Sequence, residues 1–297
     1  MLGNPETSLS IFLQLADTMV SSAQDRTGES PQALVNVHSV DFWRAKLATL
    51  SECKITEAGV GDAGAAVLAT ALQDQNSKLH TLDLRETGVG DAGVKSLASA
   101  LQDSKCKLHT LCLRGNEVGE EGVSALGNAL QHPNCKLHTL DISGNALGNA
   151  GAAVLATALQ DQNCRLQMLE LQNSNISDAG VASLAAALKH ANCKMRVLDL
   201  SGNTVGNAGV VSLSTAVQHT NCKLQTLRLC GIGVGDAGLT MLANALIHPS
   251  CKLSLLDLTG LAGMSRLGTA RIAEARLTSL CEIEGVASPA DQHITEA

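Results

Sequence analysis

A cation recurs every 29 residues along most of this chain, and a whole block of sequence recurs with it. Lys78, Lys107, Lys136, Arg165, Lys194, Lys223 and Lys252 are evenly spaced (107 − 78 = 29; 252 − 223 = 29). One period back, the first unit starts at Thr49, with Leu50, Cys53 and Ile55 in the places of Leu79, Leu82 and Leu84. Seven full units run from 49 to 251 without an insertion, and an eighth opens at Lys252. A fixed period of this length implies one structural unit stacked many times.

Each unit reads L-x-x-L-x-L-x-x-N-x-V, as in Leu108, Leu111, Leu113, Asn116 and Val118. The middle leucines alternate with polar residues, which predicts a short strand with one buried face. Gly119 and its equivalents Gly61, Gly90, Gly148, Gly206 and Gly235 mark a turn, with Ser177 the exception. Val123, Leu126 and Leu130 then fall three and four residues apart, on one side of a helix of about three turns. Asp91, Asp178, Asn207 and Asp236 precede these helices and are expected to cap their free N–H groups. Two small-residue columns, Gly64 to Gly238 and Ala71 to Ala245, let each helix lie close to its neighbour. No unit can bury its apolar face alone, so stacking must supply the core, giving a parallel sheet lined by helices.

These residues resemble the leucine-rich repeat, in the longer helical subtype of ribonuclease inhibitors, NOD-like receptors and the GTPase-activating protein for Ran. The resemblance implies an α/β solenoid shaped as a horseshoe, with a concave parallel sheet and convex helices. It also implies a ladder of Asn side chains bonding the turns of adjacent repeats. Asn116, Asn145 and Asn203 occupy that position, Thr87 and Ser174 offer a weaker substitute, and Ala58 and Ile232 offer none.

The ends differ from the array. Residues 1–48 hold all the large aromatics, Phe12, Phe42 and Trp43. They read as an N-terminal helical cap, with Ile11, Phe12, Leu15 and Met19 on one side of a helix over 8–23; a separate effector domain is the alternative. The repeat array spans 49–263. Residues 264–284 are expected to form a C-terminal capping helix burying Leu267, Ile272, Leu277 and Leu280, and 285–297 a disordered tail. The N-terminus lacks the basic flank of a signal peptide, and no apolar run is long enough to span a bilayer, so a cytoplasmic chain is expected. Six cysteines, Cys106 to Cys251, close successive units, which suits buried thiols in a reducing compartment better than a disulfide framework. Cys112 and Cys230 are expected to face outward.

Outward strand positions of successive units lie about 4.8 Å apart. One column reads Lys54, Asp83, Cys112, Asp141, Glu170, Asp199, Arg228, Asp257; the next opens with Thr56, Arg85 and Arg114. The concave face is therefore expected to be acidic from the fourth to the sixth repeat, with a basic spot near the second and third. Partner contacts are assigned to Asp83, Arg85, Arg114, Asp141, Glu170, Asp199, Arg228 and Asp257. The alternative is that these charges only keep the sheet soluble, with Arg85 paired to Asp83. A net charge of −7 argues against nucleic acid and favours a protein with a basic patch.

His80, His109 and His138 form a further stacked column, explained by copying of the segment K-L-H-T-L rather than by metal binding. Residues 63–76 recur letter for letter at 150–163, three periods on, as expected for an array grown by block duplication. No phosphate loop, nucleophile elbow or zinc helix is present, and neither an enzyme nor a cofactor is expected. Three functions remain open: an interaction module like the sensor repeats of NOD-like receptors, a GTPase regulator like the Ran activator using Arg85 or Arg114, and a ribonuclease inhibitor. Aromatics at 1% weigh against the very tight contacts of an inhibitor.

Overall fold

The structure, a computed structural model, describes residues 40–55, 59–261 and 265–285. The helix expected over 8–23 and the tail after 285 lie outside these residues, as do Thr56 and Ala58.

Nine strands form one parallel sheet in sequence order. Each of the first eight is followed by a helix, so strand n and helix n share a number. The strands are β1 (Glu52–Lys54), β2 (Thr81–Asp83), β3 (Thr110–Cys112), β4 (Thr139–Asp141), β5 (Met168–Glu170), β6 (Val197–Asp199), β7 (Thr226–Arg228), β8 (Leu255–Asp257) and β9 (Glu282–Glu284). The helices are α1 (Gly61–Leu72), α2 (Asp91–Leu101), α3 (Glu120–Leu130), α4 (Gly148–Leu159), α5 (Asp178–Leu188), α6 (Asn207–Val217), α7 (Asp236–Leu246) and α8 (Arg266–Thr278). Between β1 and β8 the strands pair in strict 29-residue register, as in Leu82 with Leu111. Identical repeat positions therefore stack, and Leu79, Leu82, Leu84 and their equivalents make a continuous buried core with the helices. Each such leucine contributes about 2 kcal/mol of burial.

Before the first strand, residues 40–47 are helical. Leu47 is buried, and Trp43 packs against the core. The carbonyl of Leu47 accepts the Lys78 amide at 2.7 Å, which ties this segment to the first repeat.

The turns after the strands carry peptide groups that neither sheet nor helix satisfies. Asn116 serves two repeats at once: its Nδ2 donates to Leu84 O (2.7 Å) and Leu113 O (2.9 Å), and its Oδ1 accepts the amides of Thr87 (3.1 Å) and Val89 (3.0 Å). Asn203 repeats the whole arrangement, and Asn145 repeats it with one amide, that of Val118. Thr87 Oγ1 bonds the carbonyl of Leu84 within its own repeat (2.7 Å) and, more weakly, Asn116 Oδ1 of the next (3.4 Å), but bridges no carbonyl of the preceding repeat, and Ile232 is buried where no side-chain bond is possible.

A second ladder departs from the expected caps. Asp91, Asp178, Asn207 and Asp236 are the first helical residues rather than the residues before, and none caps its own helix. They reach instead into the next repeat: Asp178 Oδ1 accepts the amides of Gly206 (2.7 Å) and Gly209 (2.9 Å), and Asp91 does the same for Gly119 and Gly122. A carboxylate at a neighbouring helix N-terminus is favoured by the helix dipole. The arrangement also accounts for part of the glycine column, because a Cβ on Gly209 would lie 2.7 Å from Asp178 Oδ1, with Val205 Cγ1 at 2.8 Å. A third ladder runs along the other rim, where Lys136, Lys194, Lys223 and Lys252 each donate to two carbonyls of the preceding repeat.

The C-terminal unit is more complete than its sequence suggests. β9 follows β8 by 27 residues (282 − 255) and pairs with it in parallel, so the described part of the segment expected as a capping helix, 265–284, holds a helix and a strand. Within α8, Gly268 seats against Asp236, and Ile272, Ala273 and Ala275 face inward. That phase turns Leu267, Leu277 and Leu280, expected in the core, out to solvent.

Replacing Gly209 by Ala is expected to destabilise the chain by about 2 kcal/mol through overpacking, and Asp178→Ala by about 2 kcal/mol through two orphaned amides. In urea unfolding the double variant should cost clearly less than the sum; strict additivity would show that the carboxylate is not what excludes a side chain at 209.

Candidate functional site

The open face of the sheet displays the alternate strand positions that do not enter the core. Parallel pairing sets Asp83, Cys112, Asp141, Glu170, Asp199, Arg228 and Asp257 in a single row across β2 to β8. The structure thus brings together the residues assigned to this column, but it does not give them equal access to solvent. Asp199 is 1% exposed, and Asp83 and Asp141 are 9% exposed.

The cause lies two residues on. Asp83, Asp141, Asp199 and Asp257 each accept the amide of the second residue after them, at Arg85 (3.2 Å), Ser143 (3.0 Å), Ser201 (2.9 Å) and Thr259 (3.0 Å). The carboxylate closes the strand-to-turn corner and is drawn down onto the backbone. Where the column holds Glu170 or Arg228, a hydroxyl of the preceding repeat takes over: Gln172 N donates to Ser143 Oγ and Cys230 N to Ser201 Oγ, both at 3.1 Å. Aspartate recurs in this column because it satisfies a turn.

The remaining oxygens are also engaged. Arg85 forms a two-pronged bond with Asp83, with Nη2 to Oδ2 at 2.6 Å, so it is held beside its own strand. Burial alone would raise the Asp83 carboxyl, but the Arg85 bonds outweigh it and hold the group below its ordinary value. The Cys112 thiol donates to Asp141 Oδ2 at 3.0 Å, and burial followed by this bond raises the thiol pKa. Asp199 Oδ2 accepts Gln172 Nε2 at 2.7 Å and faces Arg228 Nη1 at 3.8 Å. Asp257 receives the Thr259 hydroxyl at 2.6 Å; burial alone would raise its carboxyl, but Cys230, then Thr259 and Arg228, outweigh it and hold the group below its ordinary value.

Glu170 is the exception. One methylene longer than its neighbours, it lies half-buried between the carboxylates of β4 and β6, and its carboxylate makes no hydrogen bond or ion pair with any described residue. Burial, then Asp141 and Asp199, push its carboxyl above the ordinary 4.5. Arg228 and Arg114 offset part of this at longer range, and the acidic stripe is concentrated at one carboxylate without a direct ion pair among the described residues. Arg114 is exposed and likewise makes no ion pair with a described residue.

The sequence reading passed over the column two residues earlier. Thr81, Thr110, Thr139, Met168, Val197, Thr226 and Leu255 lie on the same face and are half-buried. Met168 and Val197 thus flank Glu170 and Asp199 with apolar surface. Their signal, a switch from Thr to apolar residues at a fixed strand position, was present in the repeat alignment.

The histidines stack as the register requires, with ring centroids 5.1 Å apart from His80 to His109 and from His109 to His138. Burial, then His138, His80, Lys136 and Arg165, hold the His109 pKa below 6.5. Among the described residues no cluster of three or more His, Cys, Asp or Glu could hold a metal ion, and no described helix is long and apolar enough to cross a membrane. The six cysteines closing the repeats are unpaired thiols, buried at Cys106 to Cys222 and half-buried at Cys251. Desolvation raises the pKa of Cys135 and of Cys193 to about 11.

Comparison with known proteins agrees with the repeat geometry. Residues 75–98, 104–127, 134–156, 162–185 and 191–214 each match the family model described as Leucine Rich repeat. No curated protein matches the sequence. Among solved structures, an internalin from Listeria monocytogenes aligns with 75% of this chain and 51% of its own, at 18% identity and a TM-score of 0.47. The chain thus spans about half the length of that internalin. Five matched segments, each lying within one strand-turn-helix period of a single parallel sheet, make the chain a leucine-rich repeat protein.

Proposed function

We propose that the chain is a non-catalytic protein-interaction scaffold, comparable to the sensor repeats of NOD-like receptors and working in a reducing, cytoplasmic compartment. Its partner is a protein that lays a basic segment with an apolar flank across β4 to β7. The observation that carries this reading is Glu170, a half-buried carboxylate without a direct ion pair among the described residues, set between two further carboxylates and beside Met168 and Val197. A Lys or Arg placed there gains a charge-assisted bond and relieves the repulsion that raises the Glu170 pKa. Asp141 and Asp199 supply field rather than contact, since their oxygens already serve the turns. Arg228 and Asp257 border the patch, while Asp83 and Arg85 neutralise one another. A basic ribonuclease would be one partner of this chemistry. The column of buried thiols supports the reducing compartment.

A second reading, a GTPase-activating regulator of the Ran-activator type, draws on Arg114, whose exposed guanidinium is available to a bound partner. Arg85 does not support it, because its guanidinium is committed to Asp83.

Two outcomes test the first reading. Glu170→Arg should weaken capture of a cytoplasmic partner about tenfold, equivalent to ~1.4 kcal/mol, with the wild-type complex fading as salt rises. Arg114→Ala should leave that capture intact; the reverse pattern would favour the GTPase reading. Stability supplies the other check. A raised folded-state pKa means that the native chain binds the proton more tightly, so ionising Glu170 weakens the fold as pH rises above about 4.5. Glu170→Gln should therefore raise the urea midpoint at pH 7, with the advantage shrinking below pH 4.5; no gain at pH 7 would show that the carboxylate is not strained.

A further inference from the structure

Among the described residues, the large apolar side chains most open to water are Phe42, Met241, Ile247, Leu267, Leu277 and Leu280. All but Phe42 lie on α7, α8 or the turns that end them. Earlier helices are different at these places. Ile247 follows a column of Gln73, Gln102, Gln131, Gln160 and Gln218, broken only by Lys189, and Leu267 follows a column of alanines broken only by Glu121. Leu277 holds the position of Ile247 one unit later, because 277 − 247 equals the 268 − 238 that separates the seated glycines. The last two helices therefore add apolar surface where the other repeats keep small or polar residues.

The exposed side of α8 has a symmetry of its own. Gly268, Ile272 and Ala275 mark the inward side. At 100° per residue, Leu267, Ala270, Arg271, Glu274, Leu277 and Thr278 fall within about 120° on the opposite side, and all six are exposed. Arg271 and Glu274 lie near the centre of that strip, 3.4 Å apart, with a leucine toward each end. An antiparallel copy turned about residue 272 would set Leu267 opposite Leu277 of the second copy (267 + 277 = 544) and Arg271 beside its Glu274 (271 + 274 = 545). Each contact is made twice, as an isologous interface requires.

We propose that this outer face of α7 and α8 is the dimerisation surface of the protein, and that its occupant is a second copy of the chain. Leu267 of one copy seats between Leu277 and Ile247 of the other, Leu280 closes the margin, and the two Arg271 and Glu274 pairs exchange partners across the axis. The exposed apolar side chains amount to on the order of 400 Å² per copy. That is about half of the roughly 800 Å² per partner of a standard interface, the usual apolar share, with the arginines and Glu274 forming the polar remainder. The contact leaves the open face of the sheet free, so each dimer carries two docking faces.

The test is sedimentation velocity on the full chain between about 1 and 100 µM, the range expected of a small interface with few anchors. Wild type should pass from monomer to dimer mass, and Leu277→Glu should remain a monomer. Arg271→Glu alone and Glu274→Arg alone should each weaken self-association about tenfold, by setting like charges across the axis. An equimolar mixture of these two variants should dimerise at least as well as wild type, because their strips are then fully complementary. All three substituted residues are exposed, so unchanged thermal unfolding serves as the folding control. A monomer at every concentration, a dimer insensitive to Leu277→Glu, or a mixture that fails to recover would each overturn the proposal.

Discussion

The structure depends on side chains that satisfy the backbone of the repeat next to their own. A strand of three residues followed by a turn leaves amides and carbonyls with no partner in sheet or helix, and burying them unpaired costs about 1–3 kcal/mol each. Asn116, Asn145 and Asn203 resolve this on one side of the turn, and Asp62, Asp91, Asn149, Asp178 and Asn207 resolve it at the helix starts. Each of these side chains makes at least one bond across a repeat boundary. No unit is therefore complete alone, and the stability of the array resides in its contacts between neighbours.

Those same bonds order the electrostatics. All the repeat helices run in the same sense, so their N-termini collect along one rim and their C-termini along the other. Carboxylates of the second ladder sit at the first rim, and the lysines of the third sit at the second, each placed to complement the helix dipoles. A chain of net charge −7 thus carries a row of lysines along this rim, and Lys136 and Arg165, after burial and the neighbouring histidines, help hold the His109 pKa below its ordinary value.

On the sheet face, structural and functional demands draw on one residue type. Aspartate at the end of a strand is short enough to turn back and accept an amide two residues on. Glutamate at the same position is not drawn into that bond, and its carboxylate stays at the surface. A column that looks uniformly acidic is in this way divided into corner-closing residues and one candidate contact. The apolar neighbours Met168 and Val197 sharpen the division, because they place the unpaired charge in a partly desolvated setting where an incoming cation counts for more.

The 29-residue period by itself determined the parallel order of the sheet, the strand register from β1 to β8 and the buried leucine columns, because each follows from stacking identical units, while the Asn ladder was legible only through the resemblance to leucine-rich repeats. It also placed Asp83 through Asp257 in one row. Only the tertiary structure decided what those side chains do. Whether Asp178 caps its own helix or the next depends on a distance between repeats, and whether Asp199 faces water or an amide depends on the path of the following turn. The last unit shows the limit most clearly. Helical spacing alone allowed Leu267, Leu277 and Leu280 to be core, but the contact of Gly268 with Asp236 sets the rotation of α8 and turns them outward. Periodicity specifies which residues share a face; the neighbouring repeat fixes which way that face points.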